Sequence, residues 1–259
     1  MTEISDRSVS IGRIFSRAFG VMGNNPLVIF GVALLFGAGP QLLYNGFLRS
    51  SILVQTSNPI TTTAVGSLAL FLVSLVARSV VTGCITRATV AYSQGRRASL
   101  GDCLSVAISR ILPVLAVSFI FGIMVVLGMI FLLVPGIIFA VMWSVVVPIT
   151  VEERAGIFGA FNRSQQLTKG ARWKIFGLFL LMFLIGLGVG LVAILATVLT
   201  MGISYQAPAI AQSLPAIIAN AIVLTVVSAL SSALVTSLFV ELREWKDGPE
   251  DSKLSDIFA

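Results

Sequence analysis

The chain has 259 residues, of which 57% are hydrophobic and only 11% charged, and its mean hydropathy is +1.01. A soluble domain carries about twice that charged fraction, so this composition excludes an ordinary soluble protein and indicates an integral membrane protein. The net charge of +6 would also suit a nucleic-acid-binding protein, but loops on the cytoplasmic side of membrane proteins are enriched in Lys and Arg. Histidine, the commonest general base and metal ligand, is absent. The two cysteines, Cys84 and Cys103, do not suggest a disulfide framework.

Six apolar segments are long enough, or nearly so, to cross a bilayer, which takes about 20 helical residues. They cover about 26–48, 64–90, 112–134, 136–151, 174–200 and 215–240. We therefore predict an all-α, polytopic membrane helical bundle, with a single integral membrane domain over 1–245 and a polar cytoplasmic tail over 246–259. The N-terminal segment has no continuous apolar core and no cleavage site of small residues, so we expect no removable signal peptide.

The charged residues are distributed unevenly over the connectors between these segments. All Lys and Arg residues except Arg49, Arg78 and Arg87 fall in the N-terminal segment, the second and fourth connectors and the C-terminal tail. All acidic residues fall in the same four places. Because cytoplasmic loops are rich in Lys and Arg, this asymmetry predicts that both termini lie in the cytoplasm.

The fourth apolar segment, 136–151, is short and contains Pro148. It follows the third segment across Pro135 and Gly136, which form a tight turn signal. Residues 112–151 therefore either span the membrane twice or form a re-entrant hairpin. Both alternatives place the next connector on the cytoplasmic side.

Three connectors share one helical spacing of apolar residues. Counted from Ile11, the residues 0, 3, 4, 7, 8 and 11 positions along the chain are apolar. The same six positions are apolar when counted from Leu100. A third series starts at Ile157 and weakens at Ser164, Gln165 and Thr168. Such spacing is typical of an amphipathic helix that lies in the membrane interface. The pattern favours three repeated units, each an interfacial helix followed by a two-span hairpin; the alternative is that any helix at a membrane surface has this spacing.

The second and third amphipathic helices have recognisable ends. Ser99 and Asp102 have the spacing of a capping box at the start of the second helix. The third helix is predicted over 157–168, and Gly170 is placed to end it.

Basic and aromatic residues are the candidate functional residues. We predict contacts with anionic lipid headgroups or other anions for Arg78, Arg87, Arg96, Arg97, Arg163, Lys169, Arg172 and Lys174. Aromatic anchors in the membrane interface are predicted at Phe15, Phe19, Phe161 and Trp173. Arg78 lies inside the second span, where a charge costs about 2.5–3.5 kcal/mol on insertion scales. It would bind an anion inside the bundle, or else snorkel outward or pair with a polar neighbour.

The chain offers no catalytic constellation, metal site or cofactor motif. Glu152 and Glu153 are adjacent carboxylates, but no histidine or nucleophile accompanies them, so we expect charge pairing or a solvated turn. Glu241 and Glu244 have the same interpretation. Glycine-rich phosphate loops, zinc-ligand spacings and nucleophile elbows are missing from the sequence.

Two proline positions and a glycine pair bear on the packing of the spans. Pro113 and Pro148 lie too near the segment ends to indicate a helix broken at the midplane. Gly186 and Gly190 have the small-xxx-small spacing that lets membrane helices pack closely.

A longer series of residues resembles a known family. The series is Val134-Pro135-Gly136, Trp143, Pro148, Glu152-Glu153, Gly159-Ala160, Arg163-Ser164, Leu167-Thr168-Lys169-Gly170 and Trp173. With "TGCITRATVAYSQGRRASLGD" at 82–102, it resembles the membrane domain attached to some bacterial glycerophosphodiester phosphodiesterases, which also occurs as stand-alone six-span proteins. The resemblance covers roughly residues 78–180 and implies a helical module of the bacterial inner membrane. It implies no phosphodiesterase activity, because in that family the activity belongs to a separate soluble barrel with histidines.

These observations predict a non-enzymatic inner-membrane scaffold or accessory subunit, which binds anionic lipid or a membrane-protein partner at its cytoplasmic rim. The alternative is a transporter or channel for a small or amphipathic solute with Arg78 in the site, which would need a continuous polar cavity reaching Arg78. A membrane enzyme acting on lipid ranks third, because the chain has only scattered carboxylates. Nucleic acid is not expected as a partner, since the basic residues alternate with spans, and a homo-oligomer is compatible with the sequence.

Overall fold

The computed structural model describes residues 9–43, 59–153, 155–201 and 214–248. These residues form helices and no β-strand, which confirms the predicted all-α fold. Six segments are long and apolar enough to cross a membrane: Pro26–Leu43, Ala69–Ser93, Ile111–Phe131, Val134–Glu152, Arg172–Val192 and Ile217–Asp247. The protein is a multi-pass membrane protein. Each of these six overlaps one predicted segment, and the largest differences are at the ends of the fifth span (192 against the predicted 200) and the sixth span (247 against 240).

The helices follow the chain in this order: α1 (Ile11–Asn24), α2 (Pro26–Val32), a π-helical segment (Ala33–Ala38), α3 (Gly39–Leu43), α4 (Pro59–Ser93), α5 (Leu100–Ser109), α6 (Ile111–Phe131), α7 (Leu133–Met142), α8 (Val146–Glu152), α9 (Ile157–Thr168), α10 (Arg172–Met201) and α11 (Leu214–Asp247). Helix α11 continues to Asp247 without a break, so the first two residues of the predicted polar tail are helical.

Local signals set several helix ends as the sequence predicted. The Ser99 hydroxyl accepts a hydrogen bond from the Asp102 backbone N–H at 3.1 Å and caps α5. Gly170, two residues beyond α9, has φ +94°, a conformation that favours glycine. Pro26 starts α2, where its missing N–H costs nothing because the first turn of a helix leaves N–H groups without intrahelical partners.

The arrangement of the described helices fits the three predicted units. Each unit has one short helix (α1, α5 or α9) followed by two spans. In the most apolar 18-residue window of each span, the second spans of the units are each 44% buried, whereas the first spans are 28%, 17% and 11% buried. The second spans, formed by α4, by α7 with α8, and by α11, therefore make the centre of the bundle, and the first spans lie outside them.

The short helices connect the units in a cyclic order. Helix α5 packs against α4, α9 packs against α7 and α8, and α1 packs against α11, so each short helix contacts the second span of the unit before it. Gly83 allows one of these contacts, because a Cβ built on it would lie only 3.1 Å from the Cα and Cβ of Ala107. We expected the apolar faces of these helices to lie on lipid. Instead Ile14, Ala18 and Cys103 are almost completely buried in protein.

The packed core lies toward one end of the bundle, which we call the charged end. It contains α1, α5, α9 and the C-terminal part of α11. Along α4 the buried residues begin at Ala77, and along α11 they are densest from Ala229 onward. The outer parts of the first spans expose large apolar side chains, such as Phe131 (79% exposed) and Val192 (68%). These surfaces suit lipid or another membrane helix.

The fourth span is a broken helix. Helix α7 ends at Met142, α8 begins at Val146, and the three residues between them form a turn near the middle of the candidate span Val134–Glu152. Our expectation that Pro148 lies too near an end to break a span was wrong. A proline cannot donate a hydrogen bond to the carbonyl four residues earlier and clashes with it, which for Pro148 is the carbonyl of Ser144 inside the turn. At 19 residues the whole segment is long enough to cross the membrane, as the two-span alternative requires.

Candidate functional site: the charged end

A buried carboxylate joins the first and last helices of the chain. Glu241 on α11 is only 2% exposed, and its Oε1 accepts hydrogen bonds from Nη2 and Nε of Arg13 on α1 at 2.6 and 2.8 Å. The Ser10 backbone N–H donates to the same oxygen at 3.2 Å. The hydrogen bond with Glu241 raises the pKa of Arg13. One helical turn further along α1, Arg17 Nη2 lies 2.9 Å from both carboxylate oxygens of Glu244.

Two further arginines pair with the adjacent carboxylates Glu152 and Glu153. Arg87 Nη1 on α4 lies 3.7 Å from Glu152 Oε2, and Arg163 Nε on α9 lies 3.0 Å from Glu153 Oε2. Arg163 also pairs with Asp247 at the end of α11. Burial alone would lower the pKa of Arg163, but its hydrogen bonds to the two carboxylates outweigh that effect and raise the pKa. The expected charge pairing of Glu152 and Glu153 is therefore confirmed, with partners that come from other helices.

All of these ion pairs except Arg163–Asp247, which lies within the third unit, cross the boundaries between the units. The Arg87–Glu152 pair joins the first unit to the second, Arg163–Glu153 joins the second to the third, and the α1–α11 pairs join the third to the first. Each pair therefore fixes how one unit sits against the next.

The polar positions of α9 hold the break in the fourth span. The Ser164 hydroxyl donates to the Met142 carbonyl at 3.0 Å. The Thr168 hydroxyl lies 3.1 Å from the same oxygen and 2.9 Å from the Ser164 carbonyl oxygen, so its proton can be shared between them, and both side chains are fully buried. The turn after α7 takes this carbonyl out of the regular helical ladder. Trp143 in the turn contacts the Phe161 ring edge to face, with ring centroids 5.3 Å apart. The weakening of the amphipathic pattern at Ser164 and Thr168 is thus the signature of this contact.

The four predicted aromatic anchors divide into two pairs. Trp173 at the start of α10 is 86% exposed, and Phe19 on α1 is 56% exposed. Phe15 and Phe161 are instead half-buried and pack against the core. Their helices pack on protein, and for all four residues the role of an anchor stays a prediction.

Five of the predicted basic residues form an exposed set that we call the rim cations: Arg96, Arg97, Lys169, Arg172 and Lys174. They lie in the α4–α5 and α9–α10 connectors and in the first turn of α10. In the part of the chain that the structure describes, no carboxylate lies within 4.0 Å of a rim cation. Arg96 donates a hydrogen bond to the side chain of Gln94 at 2.5 Å. Arg87 and Arg163 differ from this set because each has a carboxylate partner.

Arg78 is the predicted site residue that lies farthest from the rim. Its side chain is exposed on α4, and among residues 9–43, 59–153, 155–201 and 214–248 its guanidinium has no hydrogen-bond or ion-pair partner. One recess between described residues is too small to hold a water molecule. Its lining consists of Ala38, Gln41, Leu42, Ile217, Asn220 and Ala221, and so does not include Arg78.

Sequence reasoning did not identify which cations the carboxylates of α11 contact. Charge pairing or a solvated turn was expected for Glu241 and Glu244, and Asp247 was only part of the predicted polar tail. Their spacing of three residues was the available signal, because it places them along one side of a helix. The described residues contain no group of three or more His, Cys, Asp or Glu side chains that could hold a metal ion.

Comparison of the chain with protein-family models, curated proteins and solved structures finds no match. The resemblance to the phosphodiesterase-associated membrane domain therefore stays a prediction.

Proposed function

We propose that this protein is a non-enzymatic scaffold or accessory subunit of the bacterial inner membrane, with both termini and the charged end in the cytoplasm. The rim cations bind anionic lipid headgroups there, and the exposed faces of the spans are open to a membrane-protein partner.

The division of the cations is the observation that carries this proposal. Arg13, Arg17, Arg87 and Arg163 pair with carboxylates and fix the units to one another. The rim cations are exposed, so they can bind an anion from outside the chain. Each Lys or Arg close to an anionic membrane surface contributes about 1 kcal/mol of attraction. Five together supply a substantial preference for anionic lipid.

Trp173 supports the same orientation. It lies between two rim cations, Arg172 and Lys174, and is almost fully exposed on the surface of the protein. Tryptophan is enriched at the membrane–water interface because its ring is apolar and its N–H is polar. If the bilayer surface lies at the level of the Trp173 ring, the lipid headgroups contact the rim cations.

Trp173 also provides the test. We would reconstitute the protein into phosphatidylcholine membranes containing brominated phosphatidylglycerol, or brominated phosphatidylcholine at the same fraction, and measure quenching of Trp173 fluorescence. Subtracting the signal of a Trp173→Phe variant isolates the contribution of this residue. We expect the anionic lipid to quench several-fold more strongly, and high salt to reduce the difference because it screens exposed charges.

Two variants of the rim cations complete this experiment. Changing all five to Gln should abolish the preference for brominated phosphatidylglycerol, whereas Lys at all five positions should retain it. Equal quenching by the two lipids in the unchanged protein would contradict the proposal. No second function is proposed, since none of the described features favours a path for a solute.

A further inference from the structure

Arg78 is an exposed charge inside a membrane span. The candidate span Ala69–Ser93 places Arg78 close to its centre, and α4 is a continuous helix on both sides of it. Arg87, which pairs with Glu152 at the charged end, lies two and a half turns away, about 13 Å along the axis. This distance is greater than the reach of an arginine side chain, so Arg78 cannot use the same carboxylate.

Among the residues that the structure describes, no carboxylate lies within ion-pair distance of Arg78. The sequence has no Asp or Glu between Asp6 and Asp102, between Asp102 and Glu152, or between Glu153 and Glu241. In the described structure all the acidic side chains that form ion pairs lie at the charged end. A guanidinium cannot lose its proton in a protein. Its charge inside the span therefore has no counter-charge among the described residues, and a carboxylate from another protein would balance it.

The helix face around Arg78 carries one cation and two hydroxyls, and each hydroxyl donates its proton to a carbonyl of α4. Ser74, Arg78 and Thr82 recur every four residues and so lie along one side of α4. Arg78 is exposed, and Ser74 and Thr82 are half-buried. Phe71, seven residues before Arg78 and on the same side, is 56% exposed. Arginine, hydroxyls and an aromatic ring thus form one outward stripe, which we call the Arg78 face.

We propose that the Arg78 face binds a membrane helix of a different protein, which carries an Asp or Glu opposite Arg78. A charge in the bilayer costs about 2.5–3.5 kcal/mol even on insertion scales, and pairing with a carboxylate offsets this cost. A second copy of this chain does not meet the need. Two-fold symmetry would place Arg78 of one copy near Arg78 of the other, or opposite residues that are not acidic.

This inference deepens the proposed accessory role by naming the chemistry of the partner, and it rests on that role. It does not depend on lipid binding by the rim cations, which lie at the end of the bundle. Loss of one property should leave the other unchanged, so the two can fail separately.

Photo-crosslinking in the native membrane tests the proposal. Phe71 would be replaced by p-benzoylphenylalanine, which keeps an aromatic ring on the Arg78 face, and irradiated cells would be analysed for the crosslinked peptide. We expect a peptide from a membrane helix of another protein with Asp or Glu near the crosslink. The matched control carries the same replacement at Phe183, which is 65% exposed on α10. It should not give this product.

Changes at Arg78 decide whether the charge is responsible. Arg78→Gln should reduce the crosslink at least tenfold, and Arg78→Lys should largely keep it. Arg78→Glu combined with Arg at the partner's acidic position should restore it. If the Arg78→Gln variant fails to accumulate, the partner's acidic residue would be changed to its amide instead. The loss of the crosslink to a chain that keeps Arg78 then tests the same contact.

Three results would overturn the proposal. They are crosslinks to lipid alone, crosslinks only to a second copy of the chain, and a crosslinked protein whose yield is the same with Gln at position 78. Adducts with lipid alone would assign Arg78 to a phosphate group instead. The variant with Gln at all five rim positions should give the unchanged crosslink.

Discussion

The guanidinium of Arg13 holds the carboxylate of Glu241 through two nitrogens across a separation of 228 residues in the chain. Glu241 is buried, whereas the side chain of Arg13 is about half exposed (53%). This exposed residue makes the closest ion pair with the buried charge, and Arg17 Nη1 lies 3.8 Å from the other carboxylate oxygen. Removing Arg13 should therefore be more damaging than its position on the surface suggests.

We predict that Arg13→Ala lowers the stability of the folded protein by about 1–3 kcal/mol, because it leaves a buried carboxylate without its main partner. Glu241→Gln should cost less, since the amide is neutral. The double variant should cost less than the sum of the two single changes. Unfolding temperatures in detergent give the comparison, with Arg97→Ala as the exposed control, expected within about 0.5 kcal/mol. Strictly additive effects would show that the two residues do not interact.

The contact between α9 and the broken fourth span makes a second prediction. Replacing Ser164 by Ala or Thr168 by Val alone should have a small effect, because the other hydroxyl still donates to the Met142 carbonyl. The double variant leaves this buried acceptor without either hydroxyl, at a cost of about 1–3 kcal/mol. Thermal unfolding would measure the three variants. Gln165→Ala, on the exposed side of α9, is the control, and a double variant as stable as the singles would contradict the prediction.

A third prediction compares two glycines. Gly170 has φ +94°, and a Cβ there would lie 3.1 Å from the Trp245 ring. Gly170→Ala should therefore cost about 1–2 kcal/mol from backbone strain, with the ring contact adding to it. Gly186 has no atom within 4 Å of a built Cβ, and Gly186→Ala should change the unfolding temperature little. An equal loss at both positions would mean that something outside the chain packs against Gly186.

The fourth prediction concerns the thiol of Cys103, which is fully buried on α5. Burial raises its pKa from the ordinary value of 9.0 to about 11, and the charge of Asp102 adds to the shift. Because the fold favours the protonated thiol, Cys103 should reduce stability only as the pH rises from about 9 toward 11. At pH 8, maleimide should modify it at least tenfold more slowly in the folded protein than in the denatured one.

A cysteine-free protein with Ser105→Cys supplies the matched control for this measurement. Ser105 is exposed on the same helix, so its thiol should react at similar rates before and after denaturation. Labelling of Cys103 itself would be measured in the Cys84→Ala variant, in which Cys103 is the remaining cysteine. Rapid labelling of Cys103 in the folded state would show that α5 separates from α4.

The spans and the short helices could be predicted from sequence because the bilayer demands long apolar segments and a surface helix demands a regular spacing. Whether the apolar faces of α1 and α9 contact lipid or protein could not be predicted from the sequence. Lipid and a protein core are equally apolar, so Phe161 has the same sequence signature whether it touches one or the other.

The ion pairs were beyond prediction for a different reason. Glu153 is next to Arg154 in sequence, yet its described partner is Arg163. Which cation meets which carboxylate depends on how helices from different units pack. Arg78 shows the opposite case, since its position inside a span was evident from the sequence. Only the structure shows that it faces outward.

The cyclic order of the units has a consequence for biosynthesis. Helix α1 is the first described helix to leave the ribosome, and its contact surface lies on α11, the last. Until α11 enters the membrane, Arg13 and Arg17 have no carboxylates to bind, and the first unit stays open on the side that the third unit later covers. Closure of the bundle is therefore a late step that requires the whole set of spans. A nascent chain released before α11 would present the surface of an unfinished protein to the quality-control proteases of the membrane.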